Sequence, residues 1–102
     1  MSNKILSLLG FAAKAGKLSF GFEASVWSLK TGKSKLVAVS GEISPKSQKE
    51  MHYYAEKHKV KIIILECIDI KTISDAVGRK CGIISVNDRG FADAILKELE
   101  ES

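Results

Sequence analysis

The sequence predicts an α/β fold in which a central sheet is covered by helices on both faces, and three observations carry that expectation. Three short runs rich in β-branched residues, Leu36-Val37-Ala38-Val39, Ile62-Ile63-Ile64-Leu65 and Ile83-Ile84-Ser85-Val86, have the continuous apolar character of strands buried on both faces. The segments around and between them repeat their apolar residues at helical spacing. At 102 residues and 45% apolar composition, the chain suits one domain, 1–102, with a core that needs no disulfide or metal to hold it. One proline, eight scattered glycines and no biased tract leave no place for a linker.

Taken in order, Asn3 to Ala15 places Ile5, Leu8, Leu9 and Ala12 on one helical face, and Gly16 supplies a stop. Gly21 opens a second helix with Phe22, Val26 and Leu29 at i, i+4 and i+7, ending at Gly32. After the first strand, Ser44-Pro45 reads as an N-cap followed by a first-turn proline, starting a helix that runs to about His58. Ile70 to Val77 forms a shorter helix between the second and third strands. Asp88 caps the last, whose apolar stripe is Ala92, Ile95, Leu96 and Leu99 before the acidic run Glu98-Leu99-Glu100-Glu101. The predicted order is therefore α-α-β-α-β-α-β-α.

Several function classes fall away. The first fifteen residues lack a basic segment followed by an unbroken apolar run and a cleavage site, and no apolar run reaches the roughly 20 residues that cross a bilayer. The expectation is a soluble, cytoplasmic protein with no membrane partner. Cys67 and Cys81 stand fourteen apart, without a C-x-x-C or a cysteine-histidine cluster. Two reduced, buried thiols are predicted, with no metal and no cofactor. Gly32-Lys33-Ser34 is not the end of a nucleotide-binding P-loop, because Trp27 stands where that motif needs its first glycine and the strand and helix come in the reverse order. His52 and His58 lie six apart on one helix, so they do not face one another. Asp69 and Asp75 suit capping or solvated roles, with no apolar surroundings to raise a carboxyl pKa for acid-base work. No catalytic constellation emerges, and the expectation is a non-catalytic protein.

Charge points to a polyanion partner. The net charge is +4, and it is polarised: residues 1–35 hold six lysines against Glu23, or +5, while the remainder is −1. Lysine and arginine contacts to phosphate supply most nonspecific affinity for nucleic acid. The turn and helix Gly16-Lys17-Leu18-Ser19-Phe20-Gly21-Phe22-Glu23 add an anion site, since glycines allow close backbone approach and a helix N-terminus presents free N–H groups, with Gly21 the expected phosphate-binding amide. Trp27 falls off the apolar stripe, on the side of Glu23 and Lys30. It either offers an aromatic face to an unstacked base or packs beneath the first or last helix.

Three stretches together resemble a known family. Leu8-Leu9-Gly10-Phe11-Ala12-Ala13-Lys14-Ala15-Gly16-Lys17-Leu18, the helix from Gly21 to Gly32 with Lys33-Ser34-Lys35-Leu36-Val37 after it, and Asp88-Arg89-Gly90-Phe91-Ala92 span nearly the whole chain. They resemble the kink-turn-binding ribosomal proteins, the L-seven-Ae and L-thirty-e superfamily, and most closely its short bacterial YlxQ-like branch. The resemblance implies a three-layer α/β/α sandwich around a mixed central sheet. It also implies binding of structured, kink-turn-like or ribosomal RNA by a monomer, with other ribosome-associated proteins as further partners. The family's RNA surface joins the start of the second helix to the loop before the last strand. Its Gly-x-Asn-Glu-x-x-Lys run reads here Gly21-Phe22-Glu23-Ala24-Ser25-Val26-Trp27, which keeps the glycine, leaves Glu23 as an acceptor for a guanine edge, and loses an acceptor at Ala24 and a cation at Trp27. The loop reads Gly78-Arg79-Lys80-Cys81-Gly82, and its two cations favour backbone over base contact. The expected RNA-binding set is Lys14, Lys17, Gly21, Phe22, Glu23, Ala24, Trp27, Lys30, Arg79 and Lys80. The alternative is a protein-interaction module that presents Phe20, Phe22 and Trp27 as an apolar anchor.

Overall fold

A computed structural model describes residues 2–101 and the side chains of residues 4–100. Five helices and four strands follow in the order α1 (Ser2–Lys14), β1 (Leu18–Phe20), α2 (Phe22–Lys30), β2 (Leu36–Ser40), α3 (Pro45–Lys57), β3 (Ile62–Leu65), α4 (Ile70–Val77), β4 (Ile83–Val86) and α5 (Arg89–Glu101). The predicted caps are present: Ser44 Oγ accepts from Ser47 N–H at 3.1 Å with Pro45 in the first turn, and Asp88 Oδ2 accepts from Phe91 N–H at 2.9 Å. Asp69 caps α4, accepting from Thr72 N–H at 2.7 Å, and Asp75 pairs with Lys71 at 2.9 Å. None of the described helices is long and apolar enough to cross a membrane.

The sheet is mixed, in the order β1-β4-β2-β3. β2 runs parallel to β3, and β4 pairs antiparallel with both β2 and β1. β1 is the element that sequence patterning misses. Its three residues lie inside what reads as a turn, and they become a strand because β4 offers a free edge that pairs Leu18 with Val86 and Phe20 with Ile84. At the opposite edge, β3 departs from the expectation of burial on both faces: Ile63 and Leu65 are buried, whereas Ile62 and Ile64 are only half-buried.

Strand alternation sends side chains into two cores. On one face Leu36, Ala38, Ile63, Ile84 and Val86 meet Ile5 and Leu9 of α1, Ile73 of α4 and Ile95 of α5. On the other, Val37, Val39 and Ile83 meet Leu29 of α2 and Met51 of α3. The three-layer α/β/α sandwich results. In α2 the buried face differs from the expected stripe. Ser25 and Ser28 are buried with Leu29, while Phe22 and Val26 are half-buried at its margin. Ser28 is accommodated because its Oγ hydrogen-bonds Ser19 Oγ at 2.7 Å. Ser19 also accepts from Asn87 Nδ2 at 2.8 Å, and Ser85 Oγ donates to Asn87 Oδ1 at 2.6 Å. The polar chain joins α2, β1 and the end of β4. Cysteine burial is corrected too: Cys81 is buried, but Cys67, in the turn after the edge strand β3, is exposed.

Candidate nucleic-acid interface

Only Gly21 separates β1 from α2. Its φ of +93° is a conformation that glycine adopts without strain. Its N–H donates to Ile83 O at 2.8 Å, extending the β1–β4 ladder by one residue, and its carbonyl accepts from Ser25 N–H at 3.1 Å. The Gly21 amide is therefore not the phosphate donor expected from the sequence, because the edge of β4 already holds it. The amides of Phe22, Glu23 and Ala24 in the first turn of α2 carry no backbone bond to a described residue. They remain available to an acceptor at the positive end of the helix. The exposed Glu23 carboxylate stands in the same turn, so an incoming phosphate needs cations nearby to offset it.

The bond from Gly21 to Ile83 also brings the loop at residues 78–82 against the start of α2. Here the Arg79 guanidinium lies over the Phe20 ring, 5.1 Å from its centroid. Lys14 shares with Phe20 and Arg79 a hollow of about 430 Å³ that reaches back to Gly10. Lys80 is exposed in the same loop. Beneath it, burial pushes the Cys81 thiol pKa up, and the Arg79 charge lowers it in part. Phe20 is the residue that the sequence leaves unassigned among the RNA-contacting set. Its place beneath Arg79 depends on β1, and three residues between glycines give too little alternation to show a strand.

The outward face of α2 carries Glu23, Ala24, Trp27 and Lys30, all exposed. Trp27 is 65% exposed, and α2 lies on the opposite side of the sheet from α1 and α5, so the indole packs beneath neither. Phe22 turns inward, edge-on to Tyr54 at 6.3 Å. Phe20 packs against the first core and Phe22 against the second. The three aromatics of the interaction-module alternative therefore point to different layers and make no single anchor.

Two expected residues lie apart from the junction of the α2 start with the loop at residues 78–82. Lys17 precedes β1, at the end of the strand remote from Gly21, where its carbonyl accepts from Asn87 N–H at 2.8 Å. Lys30 ends α2, about 13 Å along the helix axis from its start at a rise of about 1.5 Å per residue, and its ammonium sits 5.9 Å from the Tyr54 ring centroid. No group of three or more His, Cys, Asp or Glu among the described residues is arranged to hold a metal.

The model for the ribosomal protein L7Ae/L30e/S12e/Gadd45 family matches residues 3–95. The large ribosomal subunit protein eL30 of Candida glabrata is 30% identical over 89 residues, covering 85% of this chain and 84% of its own. The RNA-binding protein YlxQ of Enterococcus faecium is 29% identical over 98 residues, covering 96% and 92%. A Bacillus halodurans protein of unknown function superposes with a TM-score of 0.89 at 26% identity, covering 95% of this chain and 97% of its own. The Giardia lamblia 15.5kD RNA binding protein superposes with a TM-score of 0.80 at 13% identity, covering 98% and 85%, a likeness of fold. With its sequence matched from end to near end and its sandwich shared with these structures, the chain belongs to the ribosomal protein L7Ae/L30e/S12e/Gadd45 family.

Proposed function

We propose that the protein binds structured RNA in the cytoplasm as a ribosomal or ribosome-associated protein, without catalysing a reaction. The observation that carries this is the junction of the α2 start with the loop at residues 78–82. The Gly21 N–H on Ile83 O holds the two together, and Arg79 rests on Phe20 beside them. In this reading the free amides, the Glu23 carboxylate, the exposed indole of Trp27 and the two loop cations act together on the RNA. The names of the relatives, a ribosomal protein and an RNA-binding protein, support the same reading. In it, Arg79, Lys80 and Lys14 hold phosphates, the Glu23 carboxylate accepts from a base edge, and Trp27 stacks on an extruded base. Because Ala24 and Trp27 replace an acceptor and a cation of the family's run, affinity rests more on the backbone than on the G·A pairs of a kink.

The test is a titration of a short kink-turn RNA, and of a control with its G·A pairs disrupted, followed by the fluorescence of Trp27 at two salt concentrations. Salt-sensitive binding with quenching is expected for both RNAs, since each neutralised phosphate releases counterions. A preference for the intact kink assigns kink recognition to this chain. Binding that is absent, or indifferent to salt, overturns the proposal.

A further inference from the structure

At the other end of α2, where β2 and β3 begin, a cleft of about 540 Å³ opens between the ends of α2 and α3 and the start of α5. Its volume falls in the range of roughly 300–1,000 Å³ typical of ligand sites. Lys30, Lys35, Lys59, Lys61 and Arg89 line it, and no carboxylate does. Lys35 Nζ donates to Gly32 O at 3.1 Å and Arg89 meets Asp93 at 3.6 Å. Neither Lys59 nor Lys61 forms an ion pair with a described residue. Five cations around one cavity repel each other, and an anion seated there offsets that repulsion.

Two further observations concern residues that line the same cleft. Ser34, 4% exposed, and His58 both line it, and the buried Ser34 Oγ and His58 Nε2 have no hydrogen-bond partner. Buried polar atoms without partners are rare, and two of the three among the described residues belong to the wall of this cleft, the third being Ser25 Oγ. The second observation is Lys59 itself. After α2, Gly32 takes φ +77° and its N–H and that of Lys33 return to Leu29 O and Ser28 O. After α3, the N–H groups of Lys59 and Val60 return in the same way to Glu56 O and Ala55 O, with Lys59 at φ +58°. This is the position glycine normally holds. Lys59 is the one non-glycine residue at positive φ among the described residues. Backbone in this region is strained for a residue with a side chain, and such positions cluster at ligand-binding sites. Neutralising the negative ends of α2 and α3 accounts for Lys30, Lys35 and Lys59. It accounts for neither Lys61, at the entry to β3, nor Arg89, in the first turn of α5 where the helix dipole disfavours a cation.

We infer that this cleft is a phosphate-binding site, and that it takes a backbone phosphate of an RNA strand separate from the one at Gly21, so that the protein joins two RNA segments. Phosphate binding here is independent of the function proposed above, while the choice of RNA as its source rests on it. Side chains of Lys59, Lys61 and Arg89, which line the cleft, supply the charge that holds it. No P-loop is involved.

The experiment follows backbone amide resonances of the labelled chain during separate titrations of inorganic phosphate, adenosine monophosphate and a single-stranded ten-nucleotide RNA. Expected are shifts at Ser34, Lys35, Lys59 and Lys61 with all three, the RNA acting at concentrations at least about tenfold lower because it is multivalent. Equal potency of adenosine monophosphate and RNA overturns the RNA assignment and leaves a small phosphate ligand. No shift at these residues with any probe overturns the site. Shifts at Phe22 to Ala24 without shifts at the cleft overturn this inference alone, and the converse pattern overturns the surface at Gly21 alone. Lys59→Gly separates function from folding: its melting temperature is expected to rise as strain is relieved, while phosphate binding at the cleft weakens. Unchanged binding in Lys59→Gly combined with Lys61→Ala removes the proposed role of these cations.

Discussion

The Arg79 guanidinium stands 5.1 Å from the centroid of the Phe20 ring, tying the loop before β4 to the residue that precedes Gly21. Such an exposed cation–π contact contributes about 0.5–1 kcal/mol, enough to orient the side chain but little to the fold. Arg79→Ala is therefore expected to leave stability almost unchanged, to weaken RNA binding, and to reduce the slope of log affinity against log salt by about one phosphate contact. Arg79→Lys keeps the slope but loses the planar stack and part of the affinity. Filter binding over a series of potassium chloride concentrations checks both, and an unaltered slope in Arg79→Ala excludes the contact.

Trp27 shows the opposite balance of size and burial. At 65% exposure, its replacement by alanine removes little packing, so the unfolding free energy should change by no more than about 0.5 kcal/mol. If the indole stacks on a base, the same variant loses about 1–3 kcal/mol of RNA affinity. Urea melts and RNA titrations on the one variant separate these effects. Loss of stability without loss of affinity would show a structural indole.

The chain Ser28, Ser19, Asn87 and Ser85 predicts a stability effect far from any aromatic. Asn87 bonds Ser19 and Ser85 at 2.8 and 2.6 Å, and Ser28 and Ser85 are buried. Asn87→Ala leaves the buried Ser85 Oγ without its acceptor, while Ser19 and Ser28 keep each other, and should cost about 1–3 kcal/mol. The urea midpoint is expected to fall with little change in m-value.

The two thiols differ in reactivity. Burial raises the Cys81 pKa above the ordinary thiol range, so at a given pH it holds less of the reactive thiolate, whereas Cys67 is exposed. Iodoacetamide at about pH 8, near the ordinary thiol pKa, should add one label, at Cys67. Cys81 should react only on unfolding or at higher pH. Removing the Arg79 charge, which lowers the Cys81 pKa, should slow it further. Peptide mass spectrometry after a time course reads out both sites, and equal labelling of the native protein contradicts the assignment.

The sequence by itself determined the helices, the three apolar strands and the caps at Ser44 and Asp88, because apolar spacing and capping chemistry act over a few neighbouring residues. It also carried the family resemblance in residues 8–18, 21–37 and 88–92, and it marked Gly21, Trp27 and Arg79 for attention. Tertiary structure alone decided the rest. Leu18-Ser19-Phe20 has no strand signal of its own and pairs because the edge of β4, more than sixty residues later, is open to it. The same pairing takes the Gly21 amide away from any ligand and sets Phe20 under Arg79. Ser25 and Ser28 look like an exposed stripe by composition, yet they face the sheet, with Ser28 satisfied by Ser19. Lys30, Lys59 and Arg89 are scattered in sequence and meet in one cleft because the ends of three elements converge there. Local chemistry is written in local sequence, whereas a surface assembled from distant segments exists only once a particular strand order brings their ends together.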